Sequence, residues 1–188
     1  VGDVAGALEA KEPWLDAVSA FLLDRLRYLF EQRGYAYDEL NAVLGRGAGV
    51  PDPRDPRRRL EALRAVRASA DFEALAVAFR RVKNLSRELQ GPSVDAVDLL
   101  TEPAEQELLA EFARRSVSIR EAASARRYAE AFRTASGFRP SVDRFFTDVF
   151  VMVEEAALRA QRLSLLRRLH ELLLELADIS EIVPTVES

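Results

Sequence analysis

Apolar residues recur every three or four positions along most of the chain, which is the spacing of one face of an α-helix. The pattern predicts helices over about residues 13–33, 37–44, 56–68, 71–89, 103–122, 124–136, 140–150 and 154–177. The alternation typical of strands occurs only in the short run VFVMV at 149–153. We therefore expect an all-α fold, a bundle of about seven to eight helices.

Two of these helices carry the clearest apolar stripes. The first is expected to turn one set of side chains toward a core: Trp14, Val18, Phe21, Leu22, Leu26 and Leu29. The fourth carries Phe72, Leu75, Phe79, Val82, Ser86 and Leu89 on one face. Between them, the run GRGAGVPDPRDP at 45–56 is dense in Gly and Pro and predicts a loop, with Asp55 capping the helix that follows.

The length of 188 residues and the apolar fraction of 48% suit a single domain with a real core. We divide the chain into a linker or fragment start at 1–12, a helical domain at 13–180 and a flexible tail at 181–188. Val1 stands where Met is usual and no secretion signal follows, which indicates a fragment of a longer protein. The lack of cysteine and of a long apolar run favours a cytoplasmic location without membrane contact.

Charge is distributed in blocks, although the net charge is only −4. Residues 46–87 hold 11 Arg or Lys against 5 acids, residues 88–111 hold 7 acids and no base, and residues 114–144 hold 8 Arg against 3 acids. A polyanion would therefore find local basic surface on a mildly acidic domain.

Residue patterns for catalysis are missing from the sequence. His170 is the only histidine, cysteine is absent, and GRGAG lacks the Lys and Ser or Thr that complete a phosphate loop. We assign His170 a structural or surface role, and we expect no catalytic residue, metal or cofactor in this chain.

One basic cluster stands out in FRRVKNLSR. Arg80, Lys83, Asn84 and Arg87 fall at i, i+3, i+4 and i+7, so they share one flank of a helix. Cations suit phosphates, and Asn and Arg can read bases exposed in an RNA loop. A solvated helix face is the alternative explanation. Arg159 and Arg162 form a second pair, for which Glu155 is an alternative partner to RNA.

Three tyrosines are candidates for stacking on RNA bases. Tyr35, Tyr37 and Tyr128 carry aromatic rings near predicted helix ends, where an unstacked base could lie against them. Packing within the domain is the alternative for each of the three.

Three blocks, in this order, resemble one known family. They are FLLDRLRYLFEQRGYAYDELNAVL at 21–44, DFEALAVAFRRVKNLSR at 71–87 and FFTDVFVMVEEAALRAQRLSLLRRLHELLLELADIS at 145–180. Together they are similar to the end of bacterial glycyl-tRNA synthetase beta subunits, a DALR-type anticodon-binding domain. The motif that names the domain falls on residues 156–159, where Ala156 replaces the usual acid, and Gln161 replaces an expected Asn.

The resemblance implies a function for this chain and for a longer parent. The domain would recognise the anticodon of a glycine tRNA, while ATP and Mg²⁺ act in the alpha subunit of a glycine–tRNA ligase. The implied partners are that tRNA, the alpha subunit and the rest of the beta subunit, without DNA. The predicted RNA-binding residues are Arg80, Arg81, Lys83, Asn84, Arg87, Arg159 and Arg162. Alternatives are a subunit-docking module with little RNA contact and an arginyl-type anticodon-binding domain.

Overall fold

The computed structural model describes residues 13–45 and 54–184. Within them the chain forms eight α-helices, without strands, and a short 3₁₀ helix at Ile179–Glu181. The α-helices are α1 Pro13–Glu31, α2 Tyr37–Leu44, α3 Arg54–Arg67, α4 Ala70–Arg87, α5 Pro103–Ser124, α6 Tyr128–Ser136, α7 Arg139–Asp148 and α8 Ala156–Leu174. The all-α prediction is confirmed. Residues 1–12 of the predicted linker and 46–53 of the predicted loop lie outside the described residues.

The core is built around the contact between α4 and α8. The predicted α4 stripe is confirmed, since its six side chains are at most 7% exposed. Opposite them lie leucines of α8: Leu165, Leu166, Leu169, Leu172 and Leu173. The His170 ring lies 5.8 Å from the Phe79 ring, and its Nδ1 is 3.3 Å from the Ser86 hydroxyl. His170 therefore has the structural surroundings that its place near the leucine stripe predicts.

Polar groups on α8 organise the loop between α4 and α5. The Gln161 amide donates to Asp98 at 2.9 Å, and its carbonyl oxygen accepts the Leu99 N–H at 3.0 Å. The Ser164 hydroxyl accepts the Val94 N–H at 2.9 Å. Gln161 is 5% exposed, so these bonds satisfy a buried amide. Gln161, which stands where an Asn is expected, therefore makes specific hydrogen bonds of its own.

The residues that join α7 to α8 are only partly buried. Val149 and Val151 are at most 4% exposed and belong to the core, as does Phe145 in the last turn of α7. Phe150 and Met152, in contrast, are 73% and 43% exposed. The alternation VFVMV therefore places one set of side chains in the core and the other in solvent, although no strand forms there.

The first helix differs from the prediction. Four residues of its expected core stripe are instead 42–58% exposed: Trp14, Val18, Phe21 and Leu29. The contacts of α1 come from Leu23, Leu26 and the buried Phe30, which pack with Leu40 and Leu60. The prediction is therefore wrong for the four exposed residues, although Leu26 of the same stripe packs as expected, because α1 contacts mainly α2 through one narrow face.

The first residues of the predicted C-terminal tail contact the domain. Ile182 is 1% exposed and belongs to the main core, and the Val183 N–H donates to the Asp38 carboxylate at 3.0 Å. The division of the chain at residue 181 stays a prediction. Residues 185–188 lie outside the described part of the chain.

Candidate nucleic-acid interface

Helix α4 positions the basic cluster that the sequence singles out. Its N-terminus is capped by the Ser69 hydroxyl, which accepts the Phe72 N–H at 3.3 Å. Because its apolar face is buried against α8, its flank carries the predicted residues beside the core. Arg80, Arg81, Asn84 and Arg87 are exposed on that flank, and Lys83 is partly buried.

The C-terminal segment, residues 178–183, lies along the same flank. Arg80 donates to the carbonyl oxygens of Ser180 at 3.0 Å and Ile182 at 2.8 Å. The Lys83 ammonium reaches Asp178 at 2.8 Å, the Ser180 hydroxyl at 2.9 Å and Glu181 at 2.9 Å. All three donors of the ammonium are therefore engaged within the protein.

The ion pair between Lys83 and Asp178 favours the charged form of both groups. Burial acts to lower the pKa of Lys83, but its hydrogen bonds to Asp178 and Glu181 outweigh burial and raise that pKa above its ordinary value. Burial acts to raise the pKa of Asp178, but hydrogen bonds from Lys83 and Ser180 outweigh burial and lower it. The side chains of Lys83 and Asp178 are 15% and 16% exposed, so solvent screens the pair only weakly.

The rest of the α4 cluster remains at the surface. Among the described residues, the side chains of Asn84 and Arg87 have no hydrogen bond or ion pair, and Arg81 lies over the Phe146 ring at 4.3 Å. Arg80 and Lys83 thus hold the C-terminal segment, whereas Arg81, Asn84 and Arg87 face solvent. Contact of this cluster with RNA stays a prediction.

Arg159 and Arg162 hold the residues between α7 and α8 in place. Arg159 donates to the Val153 carbonyl oxygen at 2.7 Å. Arg162 donates to the Phe150 carbonyl oxygen at 2.9 Å and pairs with Glu105 at 2.5 Å. The side chains of Arg162 and Glu105 are 7% and 0% exposed, so this is a buried ion pair. The geometry gives Arg162 a structural role, because RNA would reach its guanidinium only by opening that pair.

The three tyrosines have different surroundings. Tyr128 is 4% exposed, its hydroxyl donates to Asp55, and Arg59 lies 4.7 Å above its ring, so it belongs to the packed interior. Tyr35 is partly buried and has the Arg64 guanidinium at 4.0 Å from its ring centre. Tyr37 is 72% exposed. Tyr37 thus remains accessible to a base and Tyr128 does not, while Tyr35 is accessible only in part because Arg64 covers one face of its ring.

The structure also brings together arginines that the helical spacing does not connect. They line two adjoining concave regions of about 590 and 350 Å³ beside α3: Arg33, Arg57, Arg58, Arg126, Arg127 and Arg133. We call this group the arginine strip. Its residues come from three separate parts of the sequence, so no single helix face reveals them. In the sequence, the basic character of the blocks at 46–87 and 114–144 is the signal that indicates a positively charged surface here.

Two further features, a metal site and a membrane-spanning helix, are missing from the described residues. Nowhere between residues 13–45 and 54–184 do three His, Cys, Asp or Glu side chains come together in a way that would hold a metal ion. In the same ranges, no helix combines the length and the apolar character that crossing a membrane requires.

The helical fold and its closing helix place the chain in a known class of domains. The DALR anticodon binding domain model matches residues 75–185, which is more than half of the chain. The chain belongs to this family. The matched region includes α4 from Leu75 onward and the whole of α8.

Curated relatives are glycine–tRNA ligase beta subunits. The chain is 44% identical to the protein of Anaeromyxobacter dehalogenans (strain 2CP-C) over 89% of its own length and 24% of the relative. It is 42% identical to the Acidobacterium capsulatum protein and 37% identical to the Desulforudis audaxviator protein, over 89% and 86% of its length and 25% and 23% of theirs. The predicted resemblance is confirmed, and the chain spans about a quarter of these relatives.

Proposed function

We propose that this chain recognises the anticodon of a glycine tRNA, as one domain of a glycine–tRNA ligase beta subunit that acts in the cytoplasm. The observation that carries the proposal is the family match over residues 75–185, joined to relatives that are glycine–tRNA ligase beta subunits. The identity of these relatives favours the glycine enzyme over the arginyl-type alternative.

The chemistry of the parent enzyme would lie outside this chain. We place the attachment of glycine, which uses ATP and Mg²⁺, in the alpha subunit. The described residues would contribute specificity, because anticodon bases in a loop are unstacked and expose their edges to side chains. Arginines would hold the RNA backbone, which makes binding sensitive to salt.

Binding measurements with two tRNAs test the proposal. The chain is titrated with a glycine tRNA and with the same tRNA carrying a different anticodon, at about 50 and 200 mM salt. We expect affinity to fall with salt for both and to be weaker for the exchanged anticodon at each salt concentration. Equal affinity for the two tRNAs would show that this domain does not read the anticodon.

The exposed face of α1 favours a second function, docking within a larger subunit. Trp14, Phe21 and Leu29 of α1 expose large apolar side chains, each at least 50% accessible. Several exposed large apolar side chains on one helix often mark an interaction surface. Since the chain spans about a quarter of its relatives, we propose that the rest of the beta subunit covers this face.

The only tryptophan of the chain makes docking measurable. Incorporation of 5-fluorotryptophan places a single ¹⁹F signal at Trp14. We expect that signal to shift when the unlabelled remainder of the beta subunit is added, and a Phe21→Ser variant to weaken the shift. A signal that stays at its starting position would exclude docking through α1. A shift that depends on the concentration of the chain alone would identify a second copy as the occupant, against our proposal.

A further inference from the structure

The arginine strip forms one continuous surface along α3. Glu61 lines both concave regions, so the larger region beside α6 and the smaller one beside Tyr35 meet at this residue. Six arginines face two acids, Glu61 and Glu130, within the two linings. The strip is therefore a positively charged patch on a chain whose net charge is −4.

Two arginines of the strip, Arg57 and Arg127, pair with acids that are themselves exposed to solvent. Arg57 pairs with Glu61 at 2.7 Å, with the two side chains 60% and 49% exposed. Arg127 pairs with Glu130 at 3.0 Å, at 58% and 53% exposure. Exposed pairs of this kind contribute little to stability, so a phosphate can replace the carboxylate as partner. Lys83, in contrast, holds three protein acceptors at 15% exposure.

The fold holds the two sides of the larger region at a fixed separation. Tyr128, at the start of α6, donates its hydroxyl hydrogen to Asp55 in the first turn of α3. The turn before it is closed by the N–H groups of Arg126 and Arg127, which donate to Ala123 and Ala122 at 2.9 and 2.8 Å. Arg126 itself adopts a left-handed backbone with φ of 58°. The arginines of this turn are thus presented by an ordered backbone beside α3.

The chemistry of the strip matches RNA better than a small anion. An arginine fork binds phosphate oxygens through two parallel hydrogen bonds, and several forks along a surface match the repeated phosphates of a nucleic-acid backbone. Tyr35 lines the smaller region, where an aromatic ring can stack on an unpaired base. Phosphates and an unpaired base occur together in a single-stranded RNA loop.

We propose that the arginine strip binds the phosphate backbone of a single-stranded RNA loop, with Tyr35 stacking on one of its bases. This proposal rests on the proposed function and names a face of the domain that differs from the predicted α4 cluster. It therefore places the main RNA contacts on α3 and on the turn between α5 and α6.

A pair of matched double variants tests the backbone contacts. Arg58→Ala with Arg127→Ala removes two charges from the strip, and Arg114→Ala with Arg144→Ala removes two exposed arginines from α5 and α7. The probe is a fluorescently labelled anticodon stem-loop of the glycine tRNA. We expect the strip variant to weaken binding about tenfold or more and to reduce the slope of log Kd against log salt by about 1.4, as two fewer phosphate contacts predict for a single strand. The control variant should bind like the unchanged chain.

The outcomes separate this proposal from the proposed function. If the strip and control variants bind the stem-loop equally well, RNA binding by the arginine strip is overturned, but anticodon recognition by the domain is not. If the chain without substitutions fails to bind the stem-loop at low salt, both proposals are overturned. Thermal unfolding of each variant checks that altered binding does not reflect loss of fold.

Two substitutions at Tyr35 test the stacking contact. Tyr35→Phe keeps an aromatic ring and should retain the affinity for the stem-loop. Tyr35→Leu keeps an apolar side chain without a π-face and should weaken binding about fivefold or more. Equal affinity of the two variants would overturn the assignment of Tyr35 as the stacking residue.

Discussion

The basic residues of α4 and those of the arginine strip carry the same charge in different surroundings. Arg80 and Lys83 lie beside the C-terminal segment, whose carbonyl and carboxylate oxygens accept their hydrogen bonds. Arg58 and Arg127 lie where the nearest acids are themselves exposed to solvent. The position of protein acceptors, more than the number of cations, therefore decides which basic surface is open to a ligand.

Arg162 extends this comparison to a cation that is almost completely buried. Its partner Glu105 is fully buried, and the pair joins α8 to α5. Loss of one member leaves the other as an uncompensated charge inside the protein. The cations can therefore be ordered by the stability that their replacement should remove, from Arg162 through the α4 residues to the strip.

The largest effect is expected for Arg162→Ala. The free energy of unfolding should fall by about 3–5 kcal/mol, because Glu105 would stay buried without its partner. Urea denaturation measures the loss. A double variant, Glu105→Leu with Arg162→Met, removes both charges and should regain most of the stability. A loss below about 1 kcal/mol in Arg162→Ala would show that this pair is not a buried one in solution.

A smaller loss is expected for Arg80→Ala. It removes the donors to the Ser180 and Ile182 carbonyl oxygens and should lower the free energy of unfolding by about 1–3 kcal/mol. Arg87→Ala, on the same flank but without a hydrogen bond to the C-terminal segment, is the matched control and should change stability by at most about 0.5 kcal/mol. Faster amide exchange at residues 180–183 in Arg80→Ala alone would locate the effect. Equal losses in the two variants would contradict the contact.

The pH dependence of stability separates Lys83 from the exposed cations. The lowered pKa of Asp178 contributes stability that is present above its unfolded pKa of about 3.9 and is lost as pH falls toward its folded pKa. Lys83→Met removes the main hydrogen-bond donor that lowers this pKa. We expect the stability difference between the unchanged chain and Lys83→Met to be largest above about pH 5 and to shrink in acid, measured by denaturation at each pH. A difference that is constant with pH would contradict the ion pair.

The smallest effect on stability is expected in the arginine strip. Arg58→Ala should change the free energy of unfolding by at most about 0.5 kcal/mol, because this side chain is exposed to solvent. Chemical denaturation of this variant beside Arg80→Ala tests the comparison directly. A loss of more than about 1 kcal/mol would show that the strip serves the fold and would remove its distinction from α4.

Local regularities in the sequence predict much of the fold. The stripe from Phe72 to Leu89 and the leucines of α8 follow helical spacing, and both are buried. The same reasoning fails for α1, where Trp14 and Phe21 follow helical spacing but are exposed. Spacing shows that one face is apolar, but it does not show whether this chain or another covers that face.

The candidate site is harder to predict, because its contacts join distant parts of the sequence. Arg80 and its acceptor at Ile182 are 102 positions apart, and Tyr128 and Asp55 are 73 positions apart. The spacing of Arg80, Lys83 and Arg87 correctly places them on one flank of α4. It contains no information about the C-terminal segment that occupies part of that flank.

The contacts of the C-terminal segment with α2 also bear on how the domain folds. The Asp178 N–H donates to the Ala42 carbonyl oxygen at 2.8 Å, and the Val183 N–H reaches Asp38 across 145 positions of sequence. Contacts between such distant positions slow folding, because a long loop must close before they form. During synthesis α2 is made before the C-terminal segment, so it gains these partners only after Val183 has left the ribosomal exit tunnel. The first small helix of the domain is thus completed by residues made up to 145 positions later.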